Sequence, residues 1–153
     1  MNTPVGIILA GHAPLPDALL QAAATILGNA SSDIAKTATV TITPDSCGPD
    51  TVEEISATIE AVDAGKGVLV LADLFGGSAA NSALAQLDHK GVEVVTGASL
   101  AMVIEALHRR TEATNAHELA GFAAKAGRGN VIVANALLGK LDGDFLPNNQ
   151  IIT

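Results

Sequence analysis

The chain has 153 residues, 48% of them apolar and only 2% aromatic, with a single cysteine. That length carries one domain with a sizeable core of Ala, Val, Ile and Leu and is short for two. A formal net charge of −8 argues against binding a nucleic-acid backbone, which needs a basic footprint, and is compatible with docking to a positively charged protein.

V-G-I-I-L-A at 5–10 is a short continuous apolar run, which reads as a buried parallel strand. No basic residue precedes it, and it is too short for a signal peptide or a membrane span, so a cytoplasmic protein without direct membrane insertion is expected. The next stretch places Leu15, Leu19, Ala22, Ala23 and Ile26 at helical spacing. Pro16 and Asp17 suit its first turn and Gly28 its stop. A-T-V-T-I-T at 38–43 alternates as a half-exposed strand. P-D-S-C-G-P-D is turn chemistry, and Asp50 with Glu53 resembles a capping box opening a helix that carries Val52, Ile55, Ile59 and Val62.

G-V-L-V-L-A at 67–72 is the second buried run, stopped by D-L-F-G-G-S. A helix over roughly 78–88, a strand at 92–96 and an amphipathic helix at 99–110 follow. Another helix starts near Asn115, with Glu118 three residues on, and runs to Gly127; N-V-I-V-A-N at 130–135 reads as a last strand. From Leu141 the sequence is polar and punctuated by Gly and Pro. The expected organisation is one domain over 1–135 and a tail over 136–153 whose order the sequence leaves open.

This alternation is that of an α/β domain with an open, mostly parallel sheet and helices on both faces. The expected strand order is 2-1-3-4 with right-handed crossovers. That order makes the first and third strands neighbours and sends their helices to opposite faces, so a ligand crevice forms at their carboxyl ends. The residues delivered there are Gly11 and His12 from the first strand, with Asp73, Leu74, Phe75, Gly76, Gly77 and Ser78 from the third. A carboxylate that accepts the N–H of one imidazole nitrogen leaves the other free as a nucleophile. Gly76, Gly77 and Ser78 open a helix whose unpaired amides and hydroxyl suit an anion. A nucleophile, an orienting acid and an anion cradle together suggest a histidine that carries phosphate.

A-G-H-A at 10–13, T-P-D-S at 43–46 and above all G-V-L-V-L-A-D-L-F-G-G-S-A-A-N at 67–81 resemble the mannose/fructose-type enzyme IIA domain of the phosphoenolpyruvate-dependent sugar phosphotransferase system. T-G-A-S-L-A-M-V-I-E-A-L at 96–107 and A-G-R-G at 126–129 look like later segments of that family. The resemblance covers roughly 5–133. It implies a phosphotransferase component in which His12 is phosphorylated, Asp73 is its hydrogen-bonded partner, and Ser78 with the 74–78 backbone surrounds the phosphate. It implies phospho-HPr as donor and a IIB component as acceptor in sugar uptake. It also implies a homodimer that exchanges a C-terminal strand, a role for 130–135. The sequence departs from the family pattern at Gly11 and Ala13, where Ser or Thr and Gly are usual, and at Ala79–Ala80, where Pro-Phe is. No IIB segment follows, so the acceptor is expected on a separate chain.

Cys47 excludes an internal disulfide and a cysteine-rich metal site and reads as incidental. His89, His108 and His117 have no metal-ligand spacing and read as solvated. Ser78 lacks a G-x-S-x-G elbow, and neither a Walker A sequence nor G-x-G-x-x-G is present, so no metal, nucleotide or other cofactor is expected. Two alternatives stay open: a regulatory phosphoacceptor that passes nothing on, and the phosphocarrier subunit of a dihydroxyacetone kinase. A third is an α/β module that only binds a small anion.

Overall fold

The structure, a computed structural model, describes residues 3–28, 34–46 and 48–137. Strands β1 (Gly6–His12), β2 (Thr37–Ile42), β3 (Val68–Ala72) and β4 (Val92–Thr96) alternate with helices α1 (Leu15–Leu27), α2 (Gly48–Val62), α3 (Ser78–Leu84) and α4 (Leu100–Arg109). Helices α5 (Ala116–Gly129) and the single turn α6 (Ala134–Leu137) follow. The four strands form one parallel sheet in the order β2-β1-β3-β4, the order expected from the sequence.

Because strand side chains alternate with period two, the all-apolar central strands feed two cores at once. Ile7, Leu9, Leu69 and Leu71 join Met102, Val103, Leu107 and Leu119 on the side of α1, α4 and α5. Ile8, Ala10, Val68 and Val70 join Ile55, Ile59 and Ala83 on the side of α2 and α3. On β2 the alternation resolves differently. Val40 and Ile42 are buried, while the hydroxyls of Thr39 and Thr41 donate to the Asp17 carboxylate of α1 at 2.5 and 3.0 Å. An edge strand is thereby latched to the helix that leaves the site.

Several boundaries differ from the sequence reading for identifiable reasons. Helix α1 stops at Gly28, which takes φ 92° as a left-handed cap should. Of its expected core row, Ala23 is buried and Leu19 packs on the core, whereas the end members Leu15 and Ile26 are 40% and 60% exposed. Pro16, Leu20 and Leu27 take part instead, because contact with β1 and α4 turns that flank inward. Helix α2 begins at Gly48, so Asp50 lies in its first turn and is not the cap; Cys47 lies outside the described residues. Helix α3 ends at Leu84, and the chain continues to His89 in tighter turns closed by i→i−3 bonds.

The strand expected at 130–135 is not formed in the single chain. Asn130 caps α5, 131–133 pair with no strand among the described residues, and Ala134–Leu137 is helical. A strand exists through its partner, and among the described residues β4, the edge of the sheet, is laddered only to β3. The tail beyond residue 137 lies outside the described residues.

Candidate functional site

β1 carries His12 as its last residue, and β3 ends one residue before Asp73. Ala10 and Ala72 form the last pair of the β1–β3 ladder, and the Asp73 amide extends it by donating to the Ala10 carbonyl at 3.1 Å. Two side chains 61 positions apart thus emerge together at the carboxyl edge of the sheet, where the reversal of strand order opens a crevice.

The pair is joined twice through one oxygen. Asp73 Oδ2 accepts the His12 backbone amide and lies 2.8 Å from His12 Nδ1 as well. Asp73 Oδ1 accepts the Leu74 amide at 2.8 Å. An ionised carboxylate only accepts, so Nδ1 carries the ring proton and Nε2 presents its lone pair. The His12 side chain is 54% exposed and that of Asp73 11%, which leaves the nucleophile accessible and the orienting group sheltered. Burial raises the pKa of Asp73, but the bonds from the His12 amide and ring and from the Leu74 amide outweigh it. The net shift is downward from 3.8, so the carboxylate stays charged at neutral pH.

The loop from Leu74 to Gly77 is a tight turn closed by the Gly77 amide on the Leu74 carbonyl at 3.1 Å. Gly76 sits at φ 80°, a left-handed position that suits glycine. The Asn81 side chain reaches back to the Gly76 carbonyl at 3.3 Å. Of the expected cradle, the Leu74 amide is engaged by Asp73 Oδ1 and the Gly77 amide by the turn itself. The Phe75, Gly76 and Ser78 amides and the Ser78 hydroxyl form no hydrogen bond among the described residues. Leu74 and Phe75 turn outward, 63% and 76% exposed.

His12 and Ser78 line a cleft of about 450 Å³ that also receives Thr43, Ser46 and Thr51. Sequence reasoning did not assign these three hydroxyls to the site. P-D-S-C-G-P-D reads as turn chemistry, and in the structure Ser46 Oγ accepts the Thr43 amide at 2.9 Å. That closed turn aims the 43–46 loop at His12. Among the described residues no lysine or arginine lines the cleft. His117 pairs with Glu93 at 3.0 Å on the surface. Among the described residues no three His, Cys, Asp or Glu side chains stand together as metal ligands, and no helix is long and apolar enough to cross a membrane.

Residues 6–123 match the family EIIA-man, described as PTS system fructose IIA component. The PTS system mannose-specific EIIAB component of Escherichia coli (strain K12) is 28% identical over 128 residues, 83% of this chain and 38% of that protein. The chain therefore spans well under half the length of that curated relative. Among solved structures, the mannose/sorbose specific IIA subunit from Enterococcus faecalis is 30% identical with a TM-score of 0.74, over 85% of this chain and 94% of that one. A phosphotransferase system component EIIA from Streptococcus agalactiae, at 21% identity and a TM-score of 0.76, covers 86% of this chain and 98% of its own and shares the fold.

Proposed function

This chain belongs to the family of phosphotransferase-system fructose IIA components and is thereby a phosphocarrier, and we propose that the phosphoryl group travels on His12 Nε2. The observation that carries the reading is the two-bond contact of Asp73 Oδ2 with the His12 amide and Nδ1, which commits the ring to one tautomer. In the transfer the Nε2 lone pair attacks phosphorus, the N–P bond of a phosphohistidine donor breaks, and its electron pair stays on the donor ring. The positive charge that develops on the His12 ring faces the Asp73 carboxylate, which stays ionised throughout.

The phosphoryl oxygens would meet the Ser78 hydroxyl and the amides of Phe75, Gly76 and Ser78, with Thr43, Ser46 and Thr51 on the facing wall. Hydroxyls and amides neutralise less charge than a guanidinium or a metal does. The phosphorylated state is then not trapped, as suits a relay between two N–P bonds of similar energy. Phospho-HPr is the donor and a IIB component the acceptor, and the outward Leu74 and Phe75 supply apolar contact area for both.

The IIA domain is assigned to 1–135, and its assembly is a homodimer in which 131–133 pair with the free edge of β4 in a second copy. Val131 is 77% exposed, Ile132 38% and Val133 39%, an apolar β-branched run that no element among the described residues covers. A groove of about 490 Å³ runs beside Val94, Val95 and Thr96 of β4, where a strand could be received.

The test is to incubate the chain with phosphoenolpyruvate, enzyme I and HPr, then chase with IIB. An acid-labile phosphate on wild type, absent from His12→Ala and discharged by IIB, is expected. Label that survives in His12→Ala, or that never leaves for any IIB, would overturn the assignment of the residue or of the relay respectively.

A further inference from the structure

We propose that Thr43 and Ser46 act together as a two-hydroxyl donor to the phosphoryl group on His12, leaving one O–H for it whichever way their mutual bond points. This role rests on the phosphocarrier reading. Among the described residues no lysine or arginine lines the cleft, so the charge of a phosphoryl group has to be met by neutral N–H and O–H groups. Ser78 brings a hydroxyl from the start of α3, and the turn between β2 and α2 brings the other two.

That turn is closed from both ends. The Ser46 amide donates to the Thr43 carbonyl at 3.0 Å, and the Thr43 amide donates to Ser46 Oγ at 2.9 Å. Thr43, Pro44 and Ser46 line the cleft and Asp45 does not. The turn therefore brings two hydroxyl-bearing residues to the cleft of His12 and keeps its carboxylate off the wall. Thr43 Oγ1 and Ser46 Oγ lie 3.3 Å apart, and either can donate to the other. Two hydroxyls carry two protons and their shared bond uses one, so one O–H remains in either arrangement. If Thr43 donates, Ser46 Oγ receives both the amide and the hydroxyl of Thr43, and its own O–H is left. If Ser46 donates, the Thr43 O–H is left, at the end of a chain that starts from the Thr43 amide. In both cases the bonds behind the remaining donor polarise it. The separation exceeds the roughly 2.8 Å usual between hydroxyls. The shared bond thus yields readily to a charged oxygen, and one phosphoryl oxygen can stand within reach of both groups.

The experiment compares wild type, Thr43→Val, Ser46→Ala and the double variant in single-turnover uptake from phospho-HPr, with thermal melting and nitrogen-15 NMR of the His12 ring. Each single variant keeps one hydroxyl and should slow uptake by no more than about 3-fold. The double variant should slow it about 30- to 100-fold, well beyond the product of the two. Restoring a hydroxyl as Thr43→Ser with Ser46→Ala should return the rate to that of a single variant. Turn closure alone needs Ser46 Oγ and not the Thr43 hydroxyl, so a double variant no slower than Ser46→Ala would overturn the proposal. The melting temperature should fall alike in Ser46→Ala and the double variant, by about 2–4 °C, because both lose the same turn bond. A much larger fall in the double variant would assign its slow uptake to unfolding and count against the shared donor. The His12 ring should keep its wild-type tautomer throughout, since Asp73 is untouched; a changed tautomer would assign the loss to the nucleophile instead. Wild type that takes up no phosphate would sink the phosphocarrier reading itself, whereas wild type that charges normally beside an equally fast double variant would remove only the role of the two hydroxyls.

Discussion

The Asp73 carboxylate accepts from three donors, the His12 amide, the His12 ring and the Leu74 amide, and each makes its charge easier to keep against the burial that opposes it. Its pKa in the folded chain lies below the ordinary 3.8. It therefore contributes stability that is fully present above that value and is lost as pH falls through the lowered one. Denaturation of wild type and Asp73→Ala should accordingly show a stability gap at pH 6 that closes as the pH drops below 3.8. A gap independent of pH would mean that packing alone is at stake. Asp73→Asn should slow phosphoryl uptake by roughly 10²- to 10⁴-fold, because a neutral amide neither stabilises an imidazolium nor enforces one tautomer. Single-turnover kinetics with phospho-HPr would measure this. Both members of the pair were legible in the sequence, since each closes an unmistakable apolar run and the expected strand order makes those runs neighbours. Thr43, Ser46 and Thr51 were not, because their approach to His12 depends on how the loop between β2 and α2 folds over the sheet, and local pattern does not encode that.

At the scale of elements, helix ends followed local chemistry where a cap makes its own hydrogen bond. Asn115 accepts the Glu118 amide at 3.0 Å, and the Glu118 carboxylate accepts the amide and hydroxyl of Thr114 at 2.8 and 2.9 Å. Losing the Asn115 side chain in Asn115→Ala should cost about 1 kcal/mol by urea denaturation without changing phosphate uptake. Where an end or a face depends on tertiary contact, the sequence reading drifted. The expected α1 row meets the core at Leu19 and Ala23 but not at its ends, Leu15 and Ile26, and α2 starts earlier than its apparent capping box. The V-I-V run at 131–133 has the residues of a strand, yet no strand among the described residues pairs with it. Periodicity specifies which faces can be buried; the neighbour that buries them is a property of the whole molecule.

For the whole molecule, the exposed 131–133 segment and the unpaired edge of β4 lead to a measurable assembly. Val131→Asp with Ile132→Lys should convert the proposed dimer to a monomer in sedimentation experiments while His12 and Asp73 keep their hydrogen bonds, since β1, which carries His12, stands two strands from that edge and β3, which leads into Asp73, one strand from it. The net charge of −8 should make docking of a basic donor faster at low ionic strength and slower as salt rises. The most direct test of the account concerns one atom. Nitrogen-15 and phosphorus-31 NMR of the phosphorylated chain would identify which ring nitrogen bears the phosphate. Because Asp73 occupies Nδ1, the account predicts a single phosphoryl group on His12 Nε2. Phosphate on His12 Nδ1, or on any other residue, would contradict it.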